Sequence, residues 1–283
     1  MNHTHTPDVD WAAVVDDLDR SAAVNRPTNE QVVAWLTPPP GAPVADVGCG
    51  AGGMTVLLAE AVGPRGRVVA MDGEPALLAA TAQRCGHAGV GDRVSTVQHD
   101  LAEGALPVER LDLLWAAGVV HHIPDQQAAV DRLAAALASA GRLALAEGGL
   151  ASRCLPWDLG VGRPGLESRL GAAEEAWFAD MRADLAGARR TPYGWASVLT
   201  AAGLTDVTAR SFLLDRPAPL DAGTRTHVVD SLAVRVERVG DRLGADDRDA
   251  WERLLDPDRP DHLGRRDDLH LLAATTVHVG TRP

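Results

Sequence analysis

Val44–Val56 reads VADVGCGAGGMTV. An apolar run carrying one acid, Val44-Ala45-Asp46-Val47, meets a glycine cluster at Gly48, Gly50, Gly52 and Gly53. A helix-forming segment, Met54–Val62, follows at once. This order predicts a strand, a tight turn and a helix N-terminus. Glycines in the turn let the backbone bend sharply and come close to a ligand. The N–H groups that open the helix then face whatever lies over the loop.

Such a loop suits a nucleotide-type cofactor, and two patterns compete within it. Gly48, Gly50 and Gly53 fit the G-x-G-x-x-G dinucleotide fingerprint. Asp46, Gly48, Gly50 and Gly52 fit D-x-G-x-G-x-G. Glycine-rich turns also occur for plain backbone reasons, so the rest of the chain has to decide.

Composition narrows the field. With 283 residues, 46% hydrophobic and 23% charged, the chain suits one large α/β domain with insertions. No apolar run approaches the roughly 20 residues of a membrane span. The start, MNHTHTPDVDW, lacks the basic and apolar regions of a signal peptide, which makes a cytoplasmic protein the expectation. Cys49, Cys85 and Cys154 have no C-x-x-C spacing and point to neither a disulfide framework nor a zinc site. The formal charge is −12 and every non-histidine base is arginine. A chain this acidic repels phosphate backbones, which argues against a nucleic-acid substrate. The lack of lysine also removes P-loop and Schiff-base chemistry.

Upstream of the loop, residues 8–37 read as helical. Trp11, Val14, Val15 and Leu18 form one apolar stripe, and Thr28 with Gln31 reads as a capping box for a second helix carrying Val32, Val33 and Leu36. Pro38–Gly41 ends it. The segment is either a helical appendage or a flap over the cofactor.

Downstream, short apolar runs alternate with helical patterns, as in a parallel sheet with helices on both faces. The expected strands are Val44–Val47, Arg67–Met71, Arg93–Gln98, Leu111–Trp115 and Arg142–Ala146. Between them Met54–Val62, Pro75–Arg84 and Gln126–Ala138 read as helices, the last capped by Asp125 and ended by Gly141. Two stretches, at about 149–190 and 219–268, depart from the repeat as helical insertions. Between them lie a helix at Tyr193–Ala202 and a strand at Thr205–Leu214, and Leu269–Val279 is a closing strand.

In an open parallel sheet, ligands sit at the carboxyl ends of the strands. The first strand ends in Asp46-x-Gly48. The second ends in Met71-Asp72-Gly73, an acid able to accept from both hydroxyls of a ribose. The third is followed by His99-Asp100-Leu101, suited to an adenine amino group and ring face. The fourth ends in Trp115-Ala116-Ala117-Gly118, whose small residues leave room at a reacting centre. Singly each acid is an ordinary cap or loop residue. Together they converge on one nucleoside-sized site.

At this point VADVGCGAGG, VVAMDGEPALL, VQHDLAE, LDLLWAAGVVHHIPD and GRLALAEGG resemble the successive motifs of class I methyltransferases that use S-adenosylmethionine. The resemblance is to the small-molecule branch that includes ubiquinone and menaquinone methyltransferases, over roughly residues 40–150. It implies a Rossmann-like seven-stranded sheet, the last strand antiparallel and inserted beside the fifth. It also implies a helical N-terminal lid over residues 1–40 and a methyltransferase domain over 41–283 that carries the inserted lid segments. Gly48, Gly50 and Gly52 would lie against the methionine portion of the cofactor. Asp46 would orient the loop, Asp72 with Gly73 would hold the ribose, and Asp100 with Leu101 the adenine. Ala116 would offer its carbonyl near the methionine ammonium.

Methyl transfer needs little beyond a nucleophile held in line, so the cofactor site is easier to read than the catalytic residue. His121, just past the fourth strand, is the expected general base. The pair His121-His122 reads more readily as structural, packing beside the cofactor loop or bonding backbone. Trp11, Trp157 and Trp177 read either as core residues or as the lining of an apolar acceptor pocket.

The expected function is thus transfer of a methyl group from S-adenosylmethionine to O, N or C of a small organic acceptor in secondary metabolism, leaving S-adenosylhomocysteine. No metal and no membrane partner are expected, and the chain would be a monomer or homodimer. The rival readings are a protein of this fold repurposed as a scaffold or non-methylating enzyme, and a nicotinamide-dependent oxidoreductase.

Overall fold

A computed structural model describes residues 11–283, with side chains from Val15 onward. The side chains of Trp11 and Val14 lie outside the described residues. The chain divides into two compact units. The first comprises the residues up to 149 with 185–212 and 275–283, the second 150–184 and 213–274.

One seven-stranded sheet organises the chain, in the order β3-β2-β1-β4-β5-β7-β6. Its strands are β1 (Pro43–Val47), β2 (Arg67–Asp72), β3 (Val94–Gln98), β4 (Leu111–Ala117), β5 (Leu137–Arg153), β6 (Thr205–Arg216) and β7 (Leu271–Thr281). The first five pair in parallel. Ala140 donates to Arg282 O near one end of β5, and His270 donates to Cys154 O near the other. Ascending numbers in β5 thus meet descending numbers in β7, an antiparallel pairing. The fold is α/β and Rossmann-like, with the last strand between the fifth and sixth.

Burial explains the strand readings. Val44, Ala45 and Val47 of β1, and Leu113, Leu114 and Ala116 of β4, are all but inaccessible, as expected for central strands covered on both faces. Helices α2 (Gly53–Val62), α3 (Pro75–His87) and α4 (Gln126–Ala135) connect the parallel strands. Asp125 caps α4 by accepting from Ala128 N–H at 3.0 Å.

Two local expectations need correction. The N-terminal segment is one helix, α1 (Trp11–Leu36), with Pro27 inside it. Pro27 has no N–H to give to Ala23 O, but both residues are exposed, so water can satisfy that carbonyl. Thr28 is therefore a buried residue of a continuous helix and not a cap. Its neighbours on that face, Val24, Val32 and Leu36, are buried too. The Arg142 guanidinium closes the helix by donating to the carbonyls of Leu36 (2.6 Å) and Thr37 (3.2 Å).

The second correction concerns Gly141, which does not end α4. The helix stops at Ala135 and β5 begins at Leu137. The register with β4 jumps from Leu111↔Leu137 to Leu113↔Arg142, so residues 138–141 bulge. A Cβ on Gly141 would lie 2.4 Å from Leu111 O, and this close approach is why glycine stands there.

In the second unit, α5 (Leu166–Asp184), α7 (Ala222–Val239) and α8 (Ala245–Leu255) bury Leu166, Leu170, Val228, Leu232, Trp251 and Leu254. The helix α6 (Trp195–Ala201) belongs to the first unit. Trp157 is 73% exposed and Trp177 lies under the Arg238 guanidinium at 5.1 Å. Neither is a core residue of its unit. Among the described residues, no helix is long and apolar enough to cross a membrane, and no cluster of three or more side chains is able to hold a metal ion.

Candidate functional site

The strand ends of the first unit surround a cavity of about 310 Å³, within the range of small-molecule sites. Its lining includes Gly48 and Gly50 from the turn after β1, Asp72 and Gly73 from the end of β2, and Asp100 and Leu101 after β3. Gly118, Val119, His122 and Ile123 after β4 complete one side. Leu18 of α1 also reaches it.

The glycines do different things. Gly48 has φ +71° and its N–H donates to Met71 O at 2.8 Å; a Cβ there would lie 2.0 Å from Val119 Cγ2. Gly50 has φ +54° and no atom within 4 Å of where its Cβ would stand, so its bare backbone leaves open space at the cavity. Gly52 does not line the cavity. It has φ +81°, and a Cβ would meet Thr81 Oγ1 at 2.9 Å. Gly53 makes room for α1, since its Cβ would come 2.9 Å from Ala22 Cβ.

Thr81 of α3 pins this loop from outside the motif. Its buried hydroxyl donates to Gly50 O at 2.8 Å and lies 3.5 Å from Cys49 Sγ. Nothing in the spacing of α3 distinguishes Thr81 from a core residue.

The acids divide between ligand side and support. Asp72 Oδ2 accepts from Gly50 N–H at 3.0 Å and Oδ1 from Glu74 N–H at 3.1 Å. Each carboxylate oxygen has a second lone pair, and Asp72 lines the cavity. Burial pushes its pKa up, against the pull of those backbone donors. Asp100 Oδ1 accepts from Ala102 N–H at 2.8 Å, and Arg132 anchors the same loop through Leu101 O at 2.8 and 3.1 Å.

Asp46 is elsewhere. It is 2% exposed beneath the loop and accepts from Thr55 Oγ1 at 2.5 Å. Burial pushes its pKa up to about 7; the Thr55 hydrogen bond opposes this and the Asp72 charge adds to it. Ala116 is fully buried in β4, opposite Val47 and Leu145, and its side chain is no part of the lining.

The His121 and His122 rings lie against each other, tilted by 46° with centroids 4.0 Å apart. His122 lines the cavity, and His121 stands beside the wall with Nδ1 2.6 Å from Glu147 Oε2. Glu147, at the buried end of β5, also accepts from the N–H groups of Val119 and Val120. The sequence reading includes Glu147 in the GRLALAEGG motif without a role. An acid closing an otherwise apolar strand was the available signal.

Residues 44–141 match the methyltransferase domain family. The chain is 35% identical over 120 residues to nocamycin O-methyltransferase of Saccharothrix syringae, a match covering 42% of each chain. It is also 35% identical over 120 residues to trans-aconitate 2-methyltransferase of Variovorax paradoxus, covering 42% of this chain and 43% of that one. The chain thus spans less than half the length of either relative. Among solved structures, the YcgJ protein of Bacillus has the same fold, with TM-score 0.51, 15% identity, and coverage of 90% of this chain and 98% of that one.

The matched segment contains the glycine turn, Asp72 at the end of β2 and Asp100 after β3, and S-adenosylmethionine is the cofactor of this family. The residues fit it: Gly50 leaves a bare backbone at the cavity, Asp72 offers acceptors for hydroxyls, and the Leu101 side chain offers an apolar face.

Proposed function

We propose that the protein is an S-adenosylmethionine-dependent methyltransferase acting on a small organic acceptor. The observation that carries this reading is one cavity, inside the methyltransferase segment, lined by Gly48, Gly50, Asp72, Asp100 and Leu101 together. The bound cofactor supplies an electrophilic methyl group on a sulfonium, which passes to a lone pair on O, N or C of the acceptor while sulfur keeps the bonding pair.

The chain's residues have the following roles. Gly48 and Gly50 admit the methionine portion. Asp72, with Gly73, accepts from the ribose hydroxyls. Asp100 and Leu101 hold the adenine edge and face. Asp46 and Gly52 shape the loop from below, Asp46 through Thr55 and Gly52 against Thr81. The Ala116 backbone borders the methionine end. Of the N-terminal segment expected as a lid over residues 1–40, residues 1–10 lie outside the described residues; the described part acts as a lid, supported by Leu18 at the cavity. His121 takes the acceptor's proton, a role supported by the Glu147 carboxylate that holds its Nδ1. Acceptor recognition falls to the helical insertions.

The relatives are named for molecules as different as nocamycin, trans-aconitate and 2-phytyl-1,4-naphtoquinone. That range supports a small organic acceptor, and a role in secondary metabolism is our reading of it. The acidity of the chain supports a partner other than nucleic acid.

Calorimetric titration with S-adenosylmethionine, S-adenosylhomocysteine and NADPH tests the cofactor. Binding of the first two without NADPH is expected, and preference for NADPH would overturn the reading. A metabolite screen for products 14 mass units heavier then tests transfer, and binding without any such product across acceptor classes would favour a scaffold.

A further inference from the structure

Glu147 is 3% exposed, and both its carboxylate oxygens are engaged by one turn. Oε1 accepts from Val119 N–H at 2.9 Å and Val120 N–H at 2.7 Å. Oε2 lies 2.6 Å from His121 Nδ1. The same turn contributes Gly118, Val119, His122 and Ile123 to the cavity, and Val119 is the side chain that Gly48 must clear.

An ionised carboxylate offers only acceptors, so the proton of the Glu147–His121 hydrogen bond comes from Nδ1. A neutral imidazole has one N–H, which leaves Nε2 as the acceptor nitrogen. We infer that Glu147 is a positioning residue with two tasks: it holds the 118–123 turn as the cavity wall, and it fixes His121 as the Nδ1–H tautomer with Nε2 able to accept a proton. The second task rests on the reading that His121 takes the acceptor's proton.

The two tasks separate chemically in Glu147→Gln. The N–H groups of Val119 and Val120 demand an acceptor at the Oε1 position, so the glutamine carbonyl oxygen must stand there. Its NH2 group then falls opposite His121 Nδ1, where it can only donate. Nδ1 has to become the acceptor, the ring proton moves to Nε2, and the nitrogen that accepted a proton now holds one. The wall keeps both backbone bonds. Glu147→Asp retains an acceptor-only group and with it the original tautomer.

The experiment uses the full chain labelled with ¹⁵N-histidine. Ring nitrogens are correlated with ring protons on the alkaline side, where the imidazole is neutral, and His121 is assigned by its loss in His121→Gln. The native chain should show the Nδ1–H form of His121, Glu147→Asp the same form, and Glu147→Gln the Nε2–H form. Affinity of Glu147→Gln for S-adenosylhomocysteine should stay within about threefold of native. With an acceptor from the screen, its kcat should fall about a hundredfold with little change in KM. An Nε2–H tautomer in the native chain, or an unchanged tautomer in Glu147→Gln, would overturn the tautomer assignment. Loss of cofactor affinity in Glu147→Gln beyond about tenfold would overturn the separation of the two tasks. If the native chain does not bind S-adenosylhomocysteine, the cofactor reading fails, and the tautomer spectra still decide what Glu147 does to His121.

Discussion

Asp46 lies in the middle of a sheet where an ionised carboxylate is expensive. Among the described residues its side chain accepts a hydrogen bond from the Thr55 hydroxyl, and its pKa rises from the ordinary 3.8 to about 7 through burial. The folded value lies above the unfolded one, so the stabilising form is the protonated one. Its contribution is complete below the ordinary carboxylate range and is lost as pH climbs through about 7. The full span is on the order of 4 kcal/mol. Asp46→Asn keeps an acceptor for Thr55 and cannot ionise. Denaturant melts of the ligand-free protein should show the variant gaining on the native chain between pH 5 and pH 8, by roughly 2–4 kcal/mol; a constant difference would mean that Asp46 does not titrate there. Asp72 differs because it faces the cavity. Asp72→Ala removes the acceptor we propose for the ribose and frees Gly50 N–H, so affinity for S-adenosylhomocysteine should fall by about 1.5–3 kcal/mol, roughly ten- to a hundredfold. The folded variant binding as tightly as native would place the nucleoside elsewhere.

In the glycine turn the fold constrains neighbouring positions unequally. Gly48→Ala would drive a Cβ to 2.0 Å from Val119 Cγ2 at φ +71°, whereas Gly50→Ala meets no atom within 4 Å. Gly48→Ala should therefore lose about 2–3 kcal/mol of stability from overpacking and strain. Val119→Ala in the same chain should recover only part, because the left-handed backbone remains. Gly50→Ala should cost only about 1 kcal/mol of stability, and lose cofactor affinity well beyond that. Thermal melts with calorimetry of the three variants read both, and equal stability losses at Gly48 and Gly50 would refute the division. The turn, the strands and the acids of β2 and β3 were legible because each is a local pattern of a few residues. Thr81 on Gly50 O, Glu147 on the Val119 turn and Arg142 on the end of α1 were not, since each partner lies far along the chain. The same applies to Gly141, where a close approach to β4 looked from sequence like a helix stop. The Thr28–Gln31 capping box misled for the opposite reason, because a local pattern was overridden by the burial of Thr28 on the packed face of one continuous helix.

For the whole molecule, the three cysteines report on how firmly each part is closed. Cys49, Cys85 and Cys154 are all buried and free. Burial holds each thiol above its ordinary range, to about 11 for Cys85 and about 12 for Cys154, with nearby carboxylates adding to it. The thiolate is the reactive form, so both access and ionisation protect them. The native chain should be silent to a thiol reagent at neutral pH, and each cysteine should react only through opening. Cys49 sits in the glycine turn and Cys85 on α3 behind it, so opening that exposes either one disrupts the cavity. A ligand bound only to the closed form must leave first, and at a concentration 100 times its Kd it stabilises that form by about 2.7 kcal/mol. Labelling of Cys49 and Cys85, followed by mass spectrometry of the peptides, should therefore slow by about a hundredfold with S-adenosylhomocysteine at that concentration. NADPH at the same concentration should leave both rates unchanged. Slowing by NADPH would return the oxidoreductase reading. Fast labelling of Cys49 in saturating S-adenosylhomocysteine would mean that the glycine turn opens without releasing the ligand, and so does not hold it.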